Sequence, residues 1–187
     1  MGPYYPLDYR IPNFSKADVY LAYGDVYKDA IEILMDKFSK DPPLHDYSLI
    51  PVLALLRHYI EIKLKGIIMY CKNPVEQKPI PGHNILDLYK KAHDAVDKKY
   101  SIPQPHPQVV EFIEQLGKFD PEGQVFRYHE SKDGKDFYEN IDPILRRRII
   151  SLSEIRKTVD QVLGDLEGLE GYLDYQKDQE QENFSNL

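Results

Sequence analysis

Apolar positions recur along this chain in steps of three and four, the period of a helix with one buried side. The first such stretch holds Val19, Tyr20, Tyr23, Val26, Tyr27, Ala30, Ile31, Leu34 and Phe38. Ser15, with Asp18 three residues on, predicts its capped start, and Asp41-Pro42-Pro43 its end. The second stretch, from about Ser48 to Cys71, is apolar nearly all round, which predicts a central helix, with Pro51 tolerated in its first turn. The third opens near His83-Asn84, places Asp87 where a carboxylate suits the helix dipole, and buries Ile85, Leu88, Tyr89, Ala92 and Val96. A stiff run from Ile102 to Pro107 leads into a short fourth helix with Val109, Phe112, Ile113 and Leu116 on one face and Gly117 as its expected stop. The fifth starts at Asp142-Pro143 and carries Leu145, Ile149, Leu152, Ile155, Val159, Val162, Leu166, Leu169 and Leu173, a seam of coiled-coil type. Gly164, Gly168 and Gly171 interrupt it at a cost of roughly 1 kcal/mol each relative to Ala. They mark either a close helix approach or a fraying end.

Three segments lack the period. Residues 1–14 read as a Pro/Tyr arm lying on the domain. Residues 124–130 and 135–139 flank Ser131-Lys132-Asp133-Gly134, and Asp-Gly between two aromatic-containing runs predicts a β-hairpin. From about Gln176 the chain is polar and reads as a disordered tail. The expected fold is therefore all-α: a bundle of about five helices with a small β-hairpin insertion near 124–139. It forms a single domain over 1–175, followed by a tail at 176–187.

Charge and composition narrow the picture further. The net charge of -7 over 187 residues argues against a surface that is basic overall, although not against a local basic patch. Arg146-Arg147-Arg148, extended by Arg156 and Lys157, is such a patch; residues 160–187 hold eight acids and one lysine and could cover it or repel nucleic acid. A single cysteine, Cys71, precludes an intrachain disulfide and fits a reducing compartment. The start of the chain lacks the pattern of a secretory signal, and no apolar run reaches membrane-spanning length. The expected location is cytoplasmic, with no membrane partner. The six histidines show no paired ligand spacing, so no metal is expected, and no nucleotide-binding glycine motif calls for a cofactor.

Candidate chemistry gathers on the central helix. Arg57, Glu61 and Lys65 stand at i, i+4 and i+8 and form one polar stripe in an otherwise apolar element, with His58 beside Glu61. Charged groups on a mostly buried helix must pair or shift their pKa. The stripe reads either as an ion-pair ladder bordering solvent or as one wall of a cleft where a phosphate or base meets Arg57 and Lys65. Arg127 and Tyr128 likewise have two readings. Tyr128 could plug the bundle with Arg127 answering Glu61, or the pair could offer a cation and a stacking face to a base.

The run Leu55-Leu56-Arg57-His58-x-x-Glu61-x-x-Leu64-Lys65, then Gly82-His83-x-Ile85-Leu86-x-Leu88, then Phe119-Asp120 and Phe126-Arg127-Tyr128, resembles bacterial HEPN-like proteins over roughly residues 48–140. The resemblance implies an all-α bundle, frequent homodimers, and links to RNA metabolism, toxin–antitoxin systems or phage defence. Catalytic members are metal-independent ribonucleases with an Arg-x4–6-His motif. Here Arg57 and His58 are adjacent and Arg127 and His129 two apart, so that motif is missing. A substitute site would use His83 and His58 as acid and base, with Arg57 or Arg127 on the phosphate. Three functions follow as expectations: a module binding RNA, a nucleotide or a protein partner; a ribonuclease with a rearranged site; or a dimerisation module built on the last seam. The chain leans towards the first, a non-enzymatic role.

Overall fold

The computed structural model describes residues 15–41, 49–72, 79–100, 102, 106–126, 128, 130, 134 and 152–185. Within them lie five helices: α1 (Lys16–Lys40), α2 (Ile50–Cys71), α3 (Ile85–Tyr100), α4 (Pro107–Phe119) and α5 (Leu152–Ser185). The all-α expectation holds. Among the described residues of 120–134 there is no strand; residues 121–126 make turns, and Glu130 forms only an isolated bridge. The rest of the expected hairpin, with Lys135–Glu139, lies outside the described residues. So do the arm at 1–14, Arg127, Arg146-Arg147-Arg148 and the expected helix start at Asp142-Pro143.

The start of α1 is set by the expected capping box. The Ser15 hydroxyl accepts from Asp18 N–H at 3.2 Å, and the Asp18 carboxylate accepts from Ser15 N–H at 2.8 Å. Two donors that a helix leaves unpaired are thereby satisfied. Asn84 does the same for α3, its side-chain oxygen accepting from the N–H groups of Leu86 and Asp87 at 3.0 and 3.1 Å. His106 caps α4 through Nδ1, 3.3 Å from Gln108 N–H. Gly117 does not stop α4. It lies buried within the helix, where an added Cβ would come within 3.4 Å of Ile85. A methyl group there would make ordinary van der Waals contact with the start of α3.

The central position of α2 follows from its sequence. Val52, Leu56, Tyr59, Ile60, Leu64 and Ile67 have no exposed surface, and α1, α3 and α5 each contribute to the core around them. The closest neighbour is α1, which runs antiparallel to α2 and crosses it where both helices carry glycine. A Cβ on Gly66 would fall 2.7 Å from the Leu21 side chain, and one on Gly24 would fall 2.6 Å from the Lys63 stem. Only residues without a side chain permit that approach.

The seam of α5 is buried in its own bundle: Val159, Val162, Leu163, Leu166, Leu169 and Leu173 all belong to the core. Its interrupting glycines neither admit a neighbour nor end the helix. A Cβ at Gly164, Gly168 or Gly171 would meet nothing within 4 Å, and α5 continues past Gln176 to Ser185, through the stretch that reads as tail. No helix among the described residues is long and apolar enough to cross a membrane.

Candidate functional site

The polar stripe of α2 is the centre of a buried charge network. Arg57, Glu61 and Lys65 are 2%, 5% and 8% exposed, so the ladder sits inside the bundle and does not border solvent. Arg57 Nη1 donates to Glu61 Oε2 at 2.7 Å, and Lys65 Nζ donates to Glu61 Oε1 at 2.8 Å. The remaining guanidinium nitrogens reach outside the helix. Nε donates to the backbone carbonyl of Asp120 at 3.2 Å, and Nη2 donates to that of His83. Each nitrogen of Arg57 therefore has a protein acceptor, and one side chain ties two loops, far apart in sequence, to α2. The planar fork of arginine suits this; a lysine ammonium would not span the same acceptors.

Asp120 completes the second loop. Its Oδ1 accepts from Gln124 and Val125 N–H at 2.6 and 3.1 Å, and its Oδ2 stands 3.5 Å from Arg57 Nε. The loop is closed further by Tyr128 N–H donating to the Gln124 carbonyl at 3.0 Å and by the rings of Phe119 and Phe126 packing 5.1 Å apart. Tyr128 itself does not plug the bundle: it is 59% exposed. The partners of Glu61 are Arg57, Lys65 and His83.

In the first loop, His83 Nδ1 lies 2.9 Å from Glu61 Oε1, while 56% of the His83 side chain is exposed. Burial pushes the Glu61 carboxyl up, but the hydrogen bonds from Lys65 and Arg57, the Lys65 charge and the His83 bond outweigh it and hold the group at about 2. An ionised carboxylate only accepts, so Nδ1 carries the proton and Nε2 is the ring atom left for chemistry outside. Gly82, with φ of 91°, supplies the left-handed turn just before it.

His58 belongs to another surface. Its ring meets Tyr27 of α1 edge-on, with centroids 4.7 Å apart. The structure thus brings together Arg57, Glu61, Lys65 and His83, adds Asp120, and places Tyr128 at the end of the loop that Asp120 holds. Arg57 and Lys65 are turned inward to protein acceptors rather than lining an open cleft. Among the described residues no group of three His, Cys, Asp or Glu side chains could hold a metal ion.

A second buried charge was not among the sequence candidates. Lys63 has no exposed surface, and its ammonium donates to Asp25 at 2.6 Å and to Glu170. It joins α2 to both α1 and α5. Burial pushes the Glu170 carboxyl up, and the Lys63 bond only partly counters this. The available signal was Gly24, a glycine in mid-helix on the inward face of α1, which implied a bulky group opposite. Tyr89 on α3 reaches α5 through a hydrogen bond to Asp165 at 2.9 Å, and Tyr172 of α5 returns one to the Tyr100 carbonyl at 2.8 Å. Compared with family models, with curated proteins and with solved structures, the chain matches none.

Proposed function

We propose that this chain is a HEPN-like module that works by binding a nucleotide or a short single-stranded RNA segment. The face is formed by the 82–84 loop and the 120–128 loop. The observation that carries the reading is the Arg57 anchorage: one buried guanidinium holds both loops to α2, while His83 and Tyr128 remain exposed on them. A loop surface fixed before the ligand arrives loses less entropy on binding. Tyr128 offers a flat face on which a base can stack, and His83 offers Nε2 to a phosphate, hydroxyl or base edge. Bacterial stress, toxin–antitoxin or phage-defence biology is the setting that the resemblance implies. A homodimer, also implied by it, would have to use a surface other than the α5 seam.

The test is a fluorescence-anisotropy titration of labelled single-stranded RNA, with nucleotides as competitors. The stacking contact predicts that Tyr128→Ala weakens binding by about tenfold and that Tyr128→Phe retains it. His83→Ala weakens it as well. A well-folded protein that does not bind, or binding indifferent to Tyr128→Ala, overturns the reading.

A second reading has its own observation, the Glu61–His83 pair. A buried carboxylate that orients an exposed imidazole through Nδ1 is an arrangement suited to general acid–base chemistry. In that reading the chain is a metal-independent ribonuclease. Incubating the same RNA with the protein in chelator separates the two: cleavage lost in both His83→Ala and Glu61→Gln, with helical circular dichroism unchanged, favours the enzyme.

A further inference from the structure

The described residues leave five large apolar side chains exposed, and three of them lie on α1: Val26 and Ile33, at 64% and 68%, and Tyr23, which is 45% exposed and has a partner of its own. With Val19 and Ala30 they fall at alternating steps of four and three, so they form one continuous stripe on the side of α1 away from α2. This is the spacing of a helix that packs against another helix. The core of the bundle uses a different side of α1, carrying Leu21, Gly24, Ile31 and Met35. An ordinary surface helix would be polar opposite its core side; this one is apolar there from Val19 to Ile33 and turns polar only at Lys37.

The charges beside the stripe are sorted. At 100° per residue all five carboxylates of α1 (Asp18, Asp25, Asp29, Glu32 and Asp36) fall along one edge of it. The other edge is formed by Tyr20, Tyr27 and Leu34, which are partly buried against the core. Asp25 and Asp36 bond to Lys63 and Arg156, yet each keeps more than half of its side chain exposed. The result is an apolar track with an anionic margin on one side only.

That asymmetry selects the occupant. Two copies of α1 packed antiparallel would set the acidic edge against its own image, and like charges in that arrangement are unfavourable. Packed in parallel, the acidic edge would face tyrosines. Lys28 of α1 is held by Glu167 of α5, and the other lysines of the helix (Lys16, Lys37 and Lys40) stand at its two ends, so neither arrangement sets cations along the middle of the acidic edge, at Asp25, Asp29 and Glu32. We infer that the α1 face is a docking surface for an amphipathic helix of a partner protein that carries apolar residues at three- and four-residue spacing and Lys or Arg along one edge. Recognition of this kind places apolar anchors in the track and reads the margin by charge. It does not depend on the loop face proposed above for nucleotide or RNA.

The test uses the full chain and two fluorophore-labelled synthetic helical peptides with the same leucine stripe, one edged with lysine and the other with glutamate. The lysine-edged peptide is expected to bind at least about tenfold more tightly. Val26→Asp combined with Ile33→Asp should abolish that binding, with the thermal melt unchanged because both side chains are exposed; Val26→Ser with Ile33→Ser serves as the milder pair. Asp29→Lys should shift preference towards the glutamate-edged peptide. Nucleotide or RNA titrations should be unaffected by these α1 variants. Absence of binding, equal binding of the two peptides, or binding indifferent to the stripe variants overturns the inference. Sedimentation that finds a dimer, made monomeric by Val26→Asp with Ile33→Asp, also overturns it and assigns the face to a second copy.

Discussion

Arg57 shows what a single buried cation can organise. It donates to the Glu61 carboxylate and to two loop carbonyls at once, so its removal takes a donor from all three and leaves a buried carboxylate short of a cation. Truncating one partner of a buried pair costs about 3–5 kcal/mol, so Arg57→Ala should lower the urea midpoint far more than any exposed substitution. Glu61 adds a pH signature. Its carboxyl sits at about 2 in the folded chain against an ordinary 4.5, so its stabilisation is complete above the ordinary value and is lost as pH falls towards the lower one. Urea unfolding measured from neutral to acid pH should show that decline. Glu61→Gln should be less stable at neutral pH and should show a flatter acid limb. The groups facing Glu61 are Arg57, Lys65 and His83. The i, i+4, i+8 spacing made the ladder legible from the sequence. Asp120 was legible only as part of a motif, because nothing local to Phe119-Asp120 shows that its carbonyl and carboxylate return to a residue 63 positions earlier.

At the level of elements, the sequence showed most where the signal is local. The α1 cap, the apolar α2 and the Asn84 start of α3 follow from short-range chemistry, and the structure has them. The reading was weakest at glycine, whose meaning depends on what lies opposite. Gly117 lies inside α4 with Ile85 at contact distance from where a Cβ would stand, whereas the three glycines of α5 face open space. Two predictions separate these cases. Gly164→Ala, Gly168→Ala and Gly171→Ala should each stabilise the chain, by up to about 1 kcal/mol, since a helix former replaces a flexible residue without a clash. Gly24→Ala should destabilise by roughly 1–3 kcal/mol, because the Lys63 stem occupies the place of the new methyl group. Gly24→Ala made together with Lys63→Ala should cost less than the sum of the two, a non-additivity that a double-mutant cycle in urea would measure.

For the whole molecule, helix-to-helix attachment is partly electrostatic. α5 is joined to α1 by Lys28 with Glu167 and by Arg156 with Asp36, to α2 by Lys63 with Glu170, and to α3 by Tyr89 with Asp165. The exposed pairs contribute little each and are screened by salt. The apolar seam of α5 contributes the larger share. Amide hydrogen exchange should therefore be slowest in α2, where neighbours surround the helix, and fastest among the described helices in the last turns of α5, beyond Leu173, the last buried side chain among those described. Comparable protection in those turns and in α2 would contradict this order. The seam was visible in the sequence, but whether it faced a second copy or its own bundle was not, since periodicity gives a helix its apolar face and leaves the partner open.

Lys63 is an amine with no surface. Acylating reagents and trypsin act on lysines they can touch, so every exposed lysine should be modified while this one stays intact. Opening the bundle between α2, α1 and α5 is the event that would expose it. The rate at which the peptide containing Lys63 gains an acyl label, read by mass spectrometry under native conditions, is therefore a clock for that opening, set by the protein's own sequence and needing no introduced probe.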